Sequence, residues 1–136
     1  MTSRLNPYLS FADNARKAME FYRGVFGGEL TVSTFGEAGA AQGADADKVM
    51  HAQLETPAGY TIMASDAPEG MPHSSGSQIS VSLSGDDEAL RGYFAGLAEG
   101  GSVTMPLEKQ MWGDEFGMCV DPFGIAWMVN ISAPGR

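Results

Sequence analysis

The stretch FYRGVFGGELT at residues 21–31 and the stretch YFAGLAEGGSVT at residues 93–104 follow one plan: aromatic residues, a short apolar step, Gly-Gly, then a hydrophobic segment ending in Thr. A second pair of stretches comes after them. TPAGYTIMAS at 56–65 sets against DPFGIAWMVN at 121–130, with Pro, Gly and Met at equal steps. One match can arise by chance in a chain with 18 glycines among 136 residues, but two in the same order argue for a duplicated fold unit.

Periodicity says what that unit is. LNPYLSF at 5–11 reads as a strand, with Pro7 suited to an edge or a strand start. Asp13 or Asn14 can cap a helix that places Ala15, Ala18, Met19, Tyr22 and Phe26 on one face and stops at Gly27-Gly28. A strand at 29–35, a loop at 36–47, and a hairpin of strands 48–56 and 60–65 complete the first half. Residues 78–84 alternate Ile79, Val81 and Leu83 with serines, and the branched residues are expected to pack against helices. Asp86 or Asp87 starts a second helix carrying Leu90, Tyr93, Phe94 and Leu97, which Gly100-Gly101 ends. A strand at SVTMPL and a hairpin of EFGMCVD and IAWMVNI follow. The order strand–helix–strand–strand–strand thus occurs twice, in modules 1–66 and 77–136 joined by a linker at 67–76. A chain of 136 residues can bury one sizeable core, so a single α+β domain spanning 1–136 is expected.

Composition narrows the partners. A net charge of −9, with eight scattered Lys and Arg, disfavours binding to a nucleic-acid backbone. The single Cys119 rules out an intrachain disulfide and a multi-cysteine zinc site, and a reducing compartment is the plain expectation. No stretch approaches the ~18 apolar residues of a spanning helix, so a soluble cytoplasmic protein with no membrane or nucleic-acid partner is expected. No GxGxxG, Walker A, HExxH, paired CxxC or serine-nucleophile elbow is present.

The stretches PYLSFADNARKAMEFYRGVFGG, VMHAQLETPAGYTIMASD, VSLSGDD and WGDEFGMCVDPFGIAWMVNI together cover nearly the whole chain, and in that order they resemble the vicinal oxygen chelate superfamily. That is the fold of glyoxalase I, bleomycin-resistance proteins and extradiol dioxygenases. The resemblance is narrower to the PhnB-like branch, whose members often carry a 3-demethylubiquinone methyltransferase-like label. It implies tandem βαβββ modules whose mixed sheets curl to form a cup, and in many members a divalent metal held by the first and last strands of each module. Those positions here read Asn6 or Tyr8, Met63, Ile79 or Ser80, and Met128. The usual histidines and glutamates are missing, and thioether sulfur is a poor ligand for such ions, so no cofactor is expected and a divalent metal is disfavoured.

If the polar strand faces line that cup, Tyr8, Ser10, His51, Gln53, Ser80 and Ser82 converge, with Met63 and Met128 as apolar surface beside them. Such a lining suits a small organic ligand with one or two polar groups. His51 is the one credible general base near neutrality and is singled out as the candidate catalytic residue. The alternative is a strand histidine satisfied by Gln53 or facing solvent, and Glu55 could pair with it from the same strand face. Trp112 and Phe116 lie where a loop can close over the ligand, although Trp112 could equally cover the core or a dimer contact. Trp127 and Cys119 are expected to pack inside, and His73 in the connector to be structural or incidental. The reading is a small-molecule binding protein with an unassigned activity; the alternative is a lyase, isomerase or transferase using His51 as acid or base, possible with metal assistance. A homodimer is expected, because pairing would protect exposed sheet edges.

Overall fold

A computed structural model describes residues 5–39, 46–67 and 79–133. The chain divides into two compact units, Met1–Ser74 and Ser75–Arg136. In the first, strand β1 (Tyr8–Phe11) leads to helix α1 (Ala15–Phe26) and strands β2 (Glu29–Thr34), β3 (Val49–Glu55) and β4 (Thr61–Asp66). In the second, β5 (Val81–Gly85) leads to α2 (Ala89–Ala98), β6 (Ser102–Lys109), β7 (Glu115–Val120) and β8 (Ala126–Ile131). Each unit is one βαβββ module. The sheet order is β1-β4-β3-β2 in the first and β5-β8-β7-β6 in the second, with the first strand parallel to the last and the other pairs antiparallel.

These sheets correct the expectation of a cup. Neither is curled or closed: each is an open mixed sheet of four strands whose outermost members, β1 and β2 or β5 and β6, do not pair with each other. Closure would require those outer strands to meet, with a tilt and stagger that four strands with one helix-covered face do not provide. Each sheet instead buries one face under its own helix, which leaves the other, open face uncovered by that helix.

In the first module α1 lies on β2, β3 and β4. Its buried Ala15, Ala18, Met19, Tyr22 and Phe26 recur at helical spacing and meet Leu9, Phe11, Ala52, Leu54, Ile62 and Ala64. In the second, Leu90, Phe94 and Leu97 of α2 face Leu83, Cys119, Trp127, Val129 and Ile131. Arg91 of α2 also makes a two-pronged contact with Glu115 of β7, at 2.7 and 2.8 Å. That guanidinium holds the Glu115 carboxyl below its ordinary range.

Several local expectations give way to longer-range ones. Asn14 makes no side-chain bond to the helix start. The carboxylate of Asp66, at the far end of β4, accepts from Ala15 N at 2.9 Å and from Val49 N at 2.9 Å. One buried side chain therefore caps α1 and anchors the start of β3. Within β3 the register jumps from Ser33↔His51 to Thr34↔Val49, so Met50 is the extra residue of a bulge and Val49 takes the core position. Ile79, expected to pack against helices, lies ahead of β5 and is 84% exposed. Of the loop at 36–47, residues 40–45 lie outside the described residues; so do 68–76 of the linker, together with His73.

The repeated glycines have a steric reason. Gly27 and Gly100 adopt φ of 76° and 80°, a region that disfavours any side chain with a Cβ. A Cβ at Gly28 would lie 2.1 Å from the Glu55 carbonyl oxygen, and one at Gly101 would lie 2.1 Å from that of Val120. Helix-interior Gly24 and Gly92 have nothing within 4 Å of such a Cβ. Gly28→Ala and Gly101→Ala should each destabilise their module by ~1–3 kcal/mol or more through forced backbone movement. Gly24→Ala and Gly92→Ala should be neutral or stabilising by up to about 1 kcal/mol. Urea denaturation of the four variants checks the contrast. Asp66→Ala, which strands two backbone N–H groups, should cost ~1–3 kcal/mol for each group left unpaired; the midpoint shift in the same assay reads it.

Candidate functional site

The open face of the first sheet is set by strand alternation. With Leu54 and Ala52 turned to the helix, His51, Gln53 and Glu55 turn away from it. Tyr8 stands opposite Met63, and Met63 opposite Gln53, which in turn stands opposite Thr31. Ser10 lies opposite Ser65, and Ser33 opposite His51. This face is polar apart from Met63.

Its side chains are joined in a continuous chain of hydrogen bonds. The Tyr8 phenol reaches across β4 to the ring of His51 on β3, with Oη 3.1 Å from Nδ1. The two rings are tilted at 42° with centroids 5.7 Å apart. His51 Nε2 lies 3.3 Å from Gln53 Oε1, Gln53 Nε2 donates to Glu55 Oε2, and Thr61 Oγ1 donates to Glu55 Oε1 at 2.8 Å. Tyr8 is 50% exposed, whereas His51, Gln53 and Glu55 are half-buried. Glu55 therefore joins the array through Gln53. Glu55 was expected only as a direct partner of His51, on the i, i+2, i+4 spacing of His51, Gln53 and Glu55, and Thr61 was not among the expected site residues.

The open face of the second sheet has a different chemistry. Ser82 stands opposite Met128, Met128 opposite Met118, and Met118 opposite Met105, so three thioethers lie in one row across β8, β7 and β6. The neighbouring row holds Ser84, Asn130, Phe116 and Glu108. Ser80 immediately precedes β5. Trp112, half exposed, stands edge-on to Phe116 with centroids 6.1 Å apart. Buried Asp114 fixes this loop by accepting from Asn130 Nδ2 at 3.0 Å and from Ala133 N at 3.2 Å. Among the expected site residues, Tyr8, His51 and Gln53 are thus hydrogen-bonded together, with Ser10 and Met63 on the same face. Ser82, Phe116 and Met128 share the other module's face. Met105 and Met118 were not among the expected site residues; irregular register in β6 hides the face of Met105, whereas Met118 follows Phe116 on the regular alternation of β7.

Trp127 and Cys119 are interior, as expected. Trp127 faces α2 and donates through Nε1 to Asp121 at 2.8 Å. Cys119 is buried on the helix side, where burial, with Asp121 adding to it, pushes the thiol up to about 11. Such a thiol is a poor nucleophile at neutral pH.

A divalent metal does not fit the positions that the resemblance points to. Those positions hold Asn6 or Tyr8 with Met63 in one module and Ile79 or Ser80 with Met128 in the other, none of them a carboxylate or an imidazole, and the one carboxylate on β4, Asp66, is buried and takes the backbone N–H groups of Ala15 and Val49. Among the described residues no three His, Cys, Asp or Glu side chains are grouped to hold a metal ion. Hard and borderline ions require harder donors than this set supplies.

The family model of the glyoxalase/bleomycin resistance protein/dioxygenase superfamily matches residues 4–129, which span both modules. Protein YjdN of Escherichia coli K12 is 33% identical over 140 residues, covering 93% of this chain and 94% of that protein. Among solved structures, protein PA1353 from Pseudomonas aeruginosa is similar with a TM-score of 0.81 and 38% identity, covering 96% of this chain and 98% of that one. A PhnB protein from Bacillus cereus shares the fold with a TM-score of 0.75 at 24% identity, covering 96% of this chain and all of its own (100%). The two βαβββ modules and these matches agree: the chain belongs to the glyoxalase/bleomycin resistance protein/dioxygenase superfamily.

Proposed function

We propose that this chain, acting as one domain of two modules, binds a small organic molecule on the open face of its first sheet. The observation that carries this reading is the hydrogen-bonded array of Tyr8, His51, Gln53 and Glu55 on the face that α1 leaves uncovered. Polar side chains already oriented by one another lose little freedom when a ligand arrives, which favours affinity. Ser10 and Met63 extend the contact surface with one more hydroxyl and a flexible thioether. On the second module, Phe116, Met128 and Trp112 offer an apolar and aromatic surface of the kind that accepts planar or aliphatic groups, with the hydroxyls of Ser80 and Ser82 as polar contacts. The protein is further proposed to work as a homodimer in the cytoplasm, since β1, β2, β5 and β6 present sheet edges and β6 carries half-exposed Val103 and Met105.

Acid–base catalysis is the second reading, favoured by the 3.1 Å contact between Tyr8 Oη and His51 Nδ1. A tyrosine hydrogen-bonded to an imidazole can exchange a proton with a bound molecule, and lyase, isomerase or transferase chemistry could use it. No step through a metal is derived, because the donor set does not fit one.

Protein taken straight from cells and examined by mass spectrometry should carry a compound that is released unchanged after long incubation. Its affinity should fall about tenfold or more on Tyr8→Phe or His51→Ala, the loss of roughly one hydrogen bond of ~1.4 kcal/mol. Turnover that disappears in His51→Ala while affinity is retained would replace binding with catalysis. Near one equivalent of zinc, nickel, manganese or iron, lost on His51→Ala, would overturn the metal-free reading. Sedimentation that shows only a monomer across micromolar concentrations would remove the dimer.

A further inference from the structure

The array on the first sheet also has a direction. The carboxylate of Glu55 accepts hydrogen bonds and donates none, so the group that Gln53 turns toward it is its amide NH2. Thr61, donating to the second carboxylate oxygen, fixes that carboxylate from the other side. The carboxamide of Gln53 is planar, so its oxygen must then face His51 Nε2. A carbonyl oxygen only accepts. His51 Nε2 therefore carries the ring proton, and in neutral imidazole Nδ1 is left as the lone-pair nitrogen. Nδ1 then takes the hydrogen of the Tyr8 hydroxyl.

We propose that Glu55 and Gln53 are positioning residues that hold His51 in the Nε2–H form, so that Tyr8 spends its hydroxyl hydrogen on His51 Nδ1 and meets a ligand as a hydrogen-bond acceptor. This deepens the binding reading, because it names the complementary ligand group: one that donates, such as a hydroxyl, amine or amide N–H. It also orders the residues in a line from a fixed inner end to an accessible outer one. Glu55 and Gln53 are half-buried in the array, while Tyr8 is half exposed at its end. The same direction serves the catalytic reading, in which a proton would pass from Tyr8 to Nδ1 and return by the same path with no other reactant consumed. Hydrogen bonds linked in series polarise one another, so a change at Glu55 is expected to reach Tyr8.

The test needs no ligand, so its failure and that of the binding reading can be told apart. Full-length protein with ¹⁵N-labelled histidine is observed by long-range ¹H–¹⁵N NMR at a pH where the imidazole is neutral, and His73→Gln assigns the two histidines. The wild-type protein should show Nε2 protonated in a single tautomer, with the Nδ1 resonance displaced toward the value of a hydrogen-bonded acceptor. Tyr8→Phe should return Nδ1 to the free lone-pair position while leaving Nε2 protonated. Glu55→Leu and Gln53→Leu should let the second tautomer grow from undetectable to a measurable share, whereas Glu55→Gln, whose carbonyl still accepts from Gln53, should keep the wild-type pattern. Protonated Nδ1 in the wild type would overturn the proposal, as would Leu variants with an unchanged spectrum. If the Leu variants do not fold, the conservative Tyr8→Phe still decides: an Nδ1 resonance that does not move refutes the assigned direction.

Discussion

The backbone of Gly28 presses against the Glu55 carbonyl, so closely that a Cβ there would lie 2.1 Å from its oxygen. This contact stands where α1 hands over to β2, and it holds Glu29 opposite Glu55 in the register of β2 with β3. Every side chain of β3 takes its face from that register. A slip of one residue would send His51, Gln53 and Glu55 under the helix and expose Ala52 and Leu54. Such a slip would bury three polar groups, each costly without its partners, and would forfeit core contacts at the same time. The residue whose carbonyl receives the glycine also ends the hydrogen-bonded array with its side chain. Packing on one face and chemistry on the other are therefore fixed at the same point.

The second module repeats the skeleton with other contents. Gly101 approaches the Val120 carbonyl as Gly28 approaches that of Glu55, and Gly100 lies against Pro122 as Gly27 lies against Pro57. Thr56 Oγ1 accepts from Tyr60 N at 3.0 Å, and Asp121 Oδ1 accepts from Ile125 N at 3.1 Å, so different side chains close the same turn. The open faces have diverged much further. One carries hydroxyls, an imidazole, an amide and a carboxylate, and the other a row of thioethers beside Phe116. The steric constraints on the backbone are the same in both modules, while the faces away from the helices carry different side chains.

The helices, the hairpins and the duplication were legible because their signals are local: a 3.6-residue stripe, alternation, and Gly or Pro at turns. The polar set of Tyr8, His51 and Gln53 was legible for the same reason, since alternation assigns a face without knowing what lies above it. The hydrogen bonds that join them were not, because Tyr8 meets His51 from 43 residues away across an intervening strand. Asp66 as the cap of α1 escaped notice at a separation of 51 residues, and Asn14 next to the helix offered a plausible local substitute. The bulge at Met50 shifts the core position to Val49, which strict alternation places on the other face. The cup was inferred from resemblance, and resemblance carries the order of the strands more faithfully than the curvature of a sheet.

Membership of this superfamily fixes the architecture more tightly than the chemistry, because related folds host unrelated activities. The positions at which the resemblance would place a metal here hold Asn6 or Tyr8 with Met63, and Ile79 or Ser80 with Met128. Neither pair supplies the negative charge or imidazole nitrogen that keeps a divalent ion in place. The polar groups sit instead on β3, one strand further into the first sheet, and Tyr8 is the link that brings β1 to them. A metal-bearing relative would polarise a bound molecule with a cation between the first and last strands. In the proposed arrangement a tyrosine hydroxyl takes that place with its hydrogen committed inward, so what it would present outward is electron density instead of positive charge. Ligands chosen by such a surface must bring their own hydrogen-bond donors, which is the opposite requirement from that of a metal centre and the physical reason to look beyond the metal-dependent members for this protein's partner.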